Sequence, residues 1–202
     1  MTWYEDEVRQ LETNTHSLPL VTDQPEPRPV VFYGSSSIRL WKTLSQDFPK
    51  QNTLNLGFGG STLAACAWFF ERLVVPVSPK SIVFYAGDND LGDGRHPEEV
   101  YLFFCAFAEK VRHHLPGVPL TFMSIKISPA RWNIAGQIRQ ANKLVANELN
   151  KSADGRIIDT TSPLLGADSR PRREFFESDG LHLSPAGYRV WRDVLQQHPA
   201  IF

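Results

Sequence analysis

The sequence predicts a doubly wound α/β fold, a parallel sheet with helices on both faces. Short apolar runs rich in β-branched and aromatic residues alternate with longer segments of helical periodicity from residue 30 onward. The segments between the runs, roughly 10 to 20 residues each, are long enough for crossover connections, which make neighbouring strands parallel. No internal repeat, low-complexity tract or second composition regime divides the chain, so residues 1–202 are read as one domain.

In chain order, residues 2–13 read as an N-terminal helix with Trp3, Tyr4, Val8 and Leu11 on one side, and a Pro-rich connector follows from Pro19 to Pro29. Strands are expected at Val30–Tyr33, Thr53–Asn55, Ser81–Tyr85, Leu120–Ile125 and Arg156–Ile158. Helices are expected at 36–46, 61–75, 97–114, 131–151 and 185–197. Start signals support three of them. Ser61-Thr62 can cap one, Pro97-Glu98-Glu99 opens another, and Ser184-Pro185 supplies an N-cap with proline in the first turn.

With 42% apolar and 21% charged residues, the chain can bury a full core. A formal net charge of −1, with no run of five like charges, argues against a nucleic-acid partner. The apolar stretches Leu63–Phe70 and Tyr101–Ala108 end at Glu71 and Glu109, too short for a membrane span. The first residues are acidic where a secretory signal is basic and then apolar, which predicts no export signal. Cys66 and Cys105 have no metal-site or redox spacing and are read as buried, reduced thiols. These features together predict a cytoplasmic protein.

In open α/β sheets, ligands bind outside the carboxyl ends of the strands, so the residues just after each strand carry most information. After the first strand comes Gly34-Ser35-Ser36-Ser37, which can either cap a helix or expose a nucleophilic hydroxyl at a helix N-terminus. After the second comes Asn55-Leu56-Gly57-Phe58-Gly59-Gly60, where backbone can approach a substrate or merely turn tightly. A dinucleotide fingerprint belongs after the first strand, which discounts that reading. After the third comes Gly87-Asp88-Asn89-Asp90, either an Asx-type turn or a side-chain amide donor, with two carboxylates that could suggest magnesium.

Near the C-terminus, Asp179-Gly180-Leu181-His182 places a carboxylate and an imidazole three positions apart, just ahead of a helix. A histidine acting as general base needs one nitrogen on the nucleophile and the other on an acceptor that fixes its tautomer. His16 lies in the N-terminal segment, His96 follows a Gly-rich turn, His113 and His114 end a helix and His198 is nearly terminal, so these five read as solvated or helix-end residues.

Each signal is ordinary alone, but the four fall in chain order at successive strand ends. The chain from about Val30 to Leu195 resembles the SGNH hydrolases, the GDSL lipase/esterase superfamily. The family's Gly-Asp-Ser block matches Gly34-Ser35-Ser36, with Trp41 where many members carry tryptophan; Asn-x-Gly-x-Gly-Gly matches Asn55–Gly60; Gly-x-Asn-Asp matches Gly87–Asp90; and Asp-x-x-His matches Asp179–His182. Ser35 replaces the family's aspartate, which bears on the support of the loop more than on the chemistry.

The resemblance implies a three-layer α/β/α sandwich, flavodoxin-like, with a five-stranded parallel sheet of order 2-1-3-4-5. It implies a serine esterase that cleaves carboxylic esters with Ser36 as nucleophile, His182 as base and Asp179 as its orienter. The oxyanion hole would comprise the N–H groups of Ser36 and Gly60 and the side-chain amide of Asn89. No metal or organic cofactor is required, and Asp90 is read as pinning its loop. The loop Lys126–Trp132 should reach the same edge, with Arg131 or Trp132 either touching substrate or paired and packed. A small member without a lid-sized insertion leans toward short acyl groups on a soluble small-molecule ester. Two rivals stand beside this reading: a phosphate- or small-molecule-binding module on a flavodoxin-like scaffold, and an inactive relative retained as an interaction platform. Oligomeric state is not legible, and a homodimer stays open.

Overall fold

A computed structural model describes residues 1–16, 28–151 and 153–202. The expected connector therefore lies, as far as residue 27, outside the described residues.

Five strands, β1 (Val30–Gly34), β2 (Thr53–Gly57), β3 (Ser81–Tyr85), β4 (Leu120–Met123) and β5 (Gly155–Ile158), form one all-parallel sheet in the order β2-β1-β3-β4-β5. The order matches the expected 2-1-3-4-5. Alternate residues of each strand feed two cores. Val31 and Tyr33 pack with Ile82 and Phe84 on one face, while Val30 and Phe32 pack with Val83 and Tyr85 on the other.

The first core is covered by α1 (Glu5–His16), α4 (Leu63–Leu73), α6 (Pro97–His114) and α7 (Ala135–Leu149), the second by α8 (Pro185–Gln196) and the 38–48 segment. The start signals act as expected. Thr62 Oγ1 accepts the Ala65 N–H, and Ser184 Oγ accepts the Gly187 N–H.

Several expectations need correction. The helix expected at 36–46 is two short ones, α2 (Ser36–Arg39) and α3 (Leu44–Asp47). In the link between them, the Trp41 indole and the Thr43 hydroxyl donate to Asp47 of α3 at 2.7 and 2.6 Å, side-chain bonds that close a turn in place of a continuous helix. The strand expected to reach Ile125 stops at Met123, because both backbone groups of Ile125 are taken by the Asn142 amide.

The helix expected at 131–151 is preceded by a 3-10 segment, Pro129–Ile134, in which Arg131 departs from helical backbone. Trp3 does not join Tyr4, Val8 and Leu11. Thr2–Tyr4 is a 3-10 turn with fewer residues per turn than an α-helix, which leaves Trp3 89% exposed. Cys66 is fully buried, but Cys105 is only half-buried, one position off the stripe Val100, Phe104, Phe107, Ala108 and Val111 that α6 turns to the core. Among the described residues, no helix is long and apolar enough to cross a membrane.

Candidate active site

The β1–α2 turn depends on a close approach that only glycine permits. Gly34 has φ +137°, and a Cβ there would sit 1.9 Å from the Tyr85 carbonyl oxygen. The chain can then bend onto the end of β3, where Ser35 N–H donates to that same carbonyl at 2.9 Å. Backbone bonding thus supports the loop at the position where the family carries aspartate.

Burial separates the three serines. Ser35 and Ser37 are 1% exposed, whereas Ser36 is half-buried at the N-terminus of α2, where first-turn N–H groups lack helical partners. The Ser37 carbonyl is fixed by the Tyr188 hydroxyl at 2.9 Å, which ties this turn to α8.

The Asp179–His182 turn is built from its own residues. Asp179 Oδ1 accepts the N–H groups of Leu181 (2.8 Å) and His182 (3.0 Å), and Gly180 supplies the positive φ that the turn needs. Oδ2 lies 2.6 Å from His182 Nδ1. These contacts, led by the Leu181 N–H and then the His182 ring, push the Asp179 carboxyl down to about 2. With Nδ1–H donating to Asp179, Nε2 is the acceptor nitrogen, and it faces Ser36 Oγ at 3.2 Å. The sequence-predicted residues Ser36, Asp179 and His182 are thereby brought together.

The other histidines are elsewhere. His96 forms a capping box with Glu99 at the start of α6, His113 and His114 lie in its last turn, His16 ends α1, and His198 precedes the final turn of the chain.

The glycine loop after β2 is held from two sides. Asn55 donates to the Ile38 carbonyl at 2.7 Å and accepts the Gly57 N–H at 3.0 Å, which binds β2 to α2. From α1, Glu7 accepts the Gly59 N–H at 2.8 Å and pairs with Arg39, while the Tyr4 hydroxyl donates to the Gly60 carbonyl at 3.2 Å. Arg72 on α4 anchors α1 in turn, bonding Glu5 and Glu12 at 2.8 and 2.7 Å. Gly60 is exposed with φ +66°, and nothing lies within 4 Å of where its Cβ would be.

After β3, the short helix α5 (Asp88–Gly92) carries Asn89. Its Nδ2 donates to the Ser61 carbonyl at 3.0 Å, and its Oδ1 accepts from Arg131 Nη2 at 3.2 Å. The flanking carboxylates have different partners. Asp90 is fully buried and accepts the Leu63 N–H at the start of α4, and burial pushes it up to about 6 against that hydrogen bond. Asp88 pairs with Lys126 Nζ at 2.5 Å and Arg131 Nη1 at 2.7 Å. Burial works against the Lys126 charge, but Asp88 and the Tyr85 hydroxyl together outweigh it, and the ammonium is held above its ordinary value.

Between the two sequence options for Arg131 and Trp132, both side chains have protein partners. Arg131 is paired with Asp88, and Trp132 lies between the guanidinium groups of Arg139 and Arg170, 5.9 and 5.3 Å from its ring centre. Sequence reading missed Tyr4, Glu7 and Lys126, which join the site only through tertiary contacts. The one signal was the loop position of Lys126 after β4. Beside the imidazole, a groove of about 430 Å³ is lined in part by Leu40, Thr43, His182 and Tyr188.

Solved structures share this fold. A GDSL-like lipase from Bacteroides thetaiotaomicron is similar with a TM-score of 0.77 at 20% identity, covering 96% of each chain. A lipase/acylhydrolase from Enterococcus faecalis has a TM-score of 0.69 at 17% identity, covering 84% of this chain and 94% of that one. A variant of an acetyl-xylooligosaccharide esterase from Geobacillus stearothermophilus has a TM-score of 0.70 at 12% identity, covering 85% and 94%. Comparison with curated proteins gives no match. The model of the GDSL-like Lipase/Acylhydrolase family matches residues 27–190, well over half of the sequence, and the chain belongs to that family.

Proposed function

We propose that the protein is a serine esterase that hydrolyses carboxylic esters through an acyl-enzyme on Ser36. The observation that carries this reading is the 3.2 Å approach of His182 Nε2 to Ser36 Oγ, between residues 146 positions apart, with Asp179 on the opposite ring nitrogen.

Ser36 Oγ attacks the ester carbonyl carbon as its proton passes to His182 Nε2. Asp179 holds the Nδ1–H tautomer and stabilises the imidazolium that forms. The carbonyl oxygen, now negative, is received by the N–H groups of Ser36 and Gly60 and by Asn89 Nδ2, donors fixed before the reaction starts. Collapse of the tetrahedral intermediate expels the alcohol, which takes the proton from His182, and the groove beside the imidazole suits that leaving half. Water, activated by the same histidine, then repeats the addition on the acyl-enzyme.

Every group in this scheme belongs to the chain. The substrate class is a short-acyl ester of a soluble alcohol, a reading in keeping with the acetyl-xylooligosaccharide esterase among the fold neighbours. Residues 1–202 act as one catalytic domain in the cytoplasm. The purified protein is expected to hydrolyse p-nitrophenyl acetate, and Ser36→Ala to lose nearly all turnover with an unchanged melting temperature. Equal turnover in the alanine variant would overturn Ser36 as the nucleophile.

A further inference from the structure

An asparagine amide has a donor end and an acceptor end of nearly equal shape, and only its partners decide which end faces a substrate. Asn89 can serve an oxyanion only with Nδ2 toward it. A guanidinium group has donors and no acceptor, so the Asn89 atom that meets Arg131 Nη2 at 3.2 Å must be Oδ1. Nδ2 is then turned to the far side, where one hydrogen is taken by the Ser61 carbonyl at 3.0 Å and the other is left for the ligand.

Arg131 is itself held in place. Its Nη1 donates to both the backbone carbonyl and the carboxylate of Asp88, the residue just before Asn89. The second oxygen of that carboxylate is fixed by Lys126 Nζ at 2.5 Å, with the Lys126 and Asp88 side chains 1% and 5% exposed. Gly92, at the end of α5, leaves the space the guanidinium occupies, since a Cβ there would lie 2.4 Å from Arg131 Cζ. The neighbouring Ala130 N–H donates to the Gly180 carbonyl at 3.0 Å, so this loop also braces the Asp179–His182 turn. We propose that Arg131 is a positioning residue whose guanidinium fork, locked by Asp88 and Lys126, fixes the rotamer and amide orientation of Asn89 for the oxyanion. This inference rests on the esterase reading of the site.

Lysine keeps the charge but cannot reproduce a planar fork that bonds Asp88 and Asn89 together. Arg131→Lys therefore separates geometry from field. The test is a double-mutant cycle on p-nitrophenyl acetate with wild type, Arg131→Lys, Asn89→Ala and the pair. Arg131→Lys is expected to lower kcat roughly 10- to 100-fold with KM nearly unchanged, and to have no further effect once Asn89 is alanine.

A second arm avoids dependence on one variant. Millimolar guanidinium chloride should restore kcat to Arg131→Ala but not to Arg131→Ala/Asn89→Ala. Equal losses from Arg131→Lys in both Asn89 backgrounds, or equal rescue with and without Asn89, overturn the proposal while leaving an active esterase. Wild-type protein without Ser36-dependent turnover overturns the reading of the site and this proposal with it.

Discussion

Asp179 and Asp90 stand on opposite halves of the site, and their surroundings move them in opposite directions. Asp179 is about half exposed, and the N–H groups of its own turn together with the His182 ring hold it down near 2. Asp90 is fully buried beside Asn89, and loss of solvent raises it to about 6 although the Leu63 N–H opposes this. The contrast reflects two ways of building a site. The Asp179–His182 pair of the proposed triad is assembled within four consecutive residues and stays accessible. The proposed oxyanion half is assembled by buried or distant partners: Arg131 and Lys126 from the β4 loop, Glu7 from α1 and Tyr4 from the 3-10 turn ahead of it.

The sharpest way to test the local half is Asp179→Asn. The amide can still accept the turn's N–H groups, but it can present an N–H to His182 Nδ1 and reverse the tautomer. The expected fall in kcat is on the order of 10⁴ with little change in melting temperature. A loss below tenfold would show that the turn alone orients the imidazole. On the other half, Asn89→Ala should lower kcat by about 10² to 10³, since it removes the side-chain donor proposed for the oxyanion, and KM should move little.

The same contrast explains what could be read from the sequence. Asp179-Gly180-Leu181-His182 is legible because its bonds run between near neighbours, and β-strand ends such as Gly34 and Gly87 mark where chemistry lies in a doubly wound sheet. The three central strands were legible because both their faces are buried. What escaped were side chains whose role depends on tertiary placement. Lys126 reads only as the first residue of a loop after the fourth strand until β4 carries its ammonium onto Asp88, and Tyr4 reads as part of an apolar helix face until its hydroxyl reaches Gly60. The break in the 36–46 helix escaped for a related reason: Asp47 accepts from Trp41 and Thr43 only after the chain has already turned.

The pH response should separate the halves further. Asp90 binds its proton more tightly in the folded protein than in the unfolded chain, whose carboxyl lies at 3.8. Between about pH 4 and 6 the native state therefore carries more protons, and stability falls as pH rises through that window. The span corresponds to on the order of 3 kcal/mol. Asp179 has the opposite sign: its contribution is present above 3.8 and is lost as pH falls through about 2. Urea titrations at steps from pH 4 to 7 should show the decline in wild type and a flatter profile in Asp90→Asn, whose amide oxygen can still accept the Leu63 N–H. An unaltered slope in that variant would assign the dependence to other groups.

The smallest effect is expected where the oxyanion half reaches the N-terminal helix, whose residues precede the segment matched by the family model. Tyr4→Phe removes one hydroxyl from the Gly60 carbonyl and leaves the ring against Phe58 and Phe69. The bond is 3.2 Å long and solvent-exposed, so water can replace it, and its net worth is at the low end of about 0.5 to 1.5 kcal/mol. The expected result is a roughly two- to fivefold fall in kcat with KM and melting temperature nearly constant. Glu7→Gln should cost less still, because the amide oxygen can keep the Gly59 N–H and only an exposed ion pair with Arg39 is lost. A Tyr4→Phe loss as large as that of Asn89→Ala would change the comparison. The proposed oxyanion half would then hinge on the turn ahead of α1, and its distributed supports would be secondary to one hydroxyl.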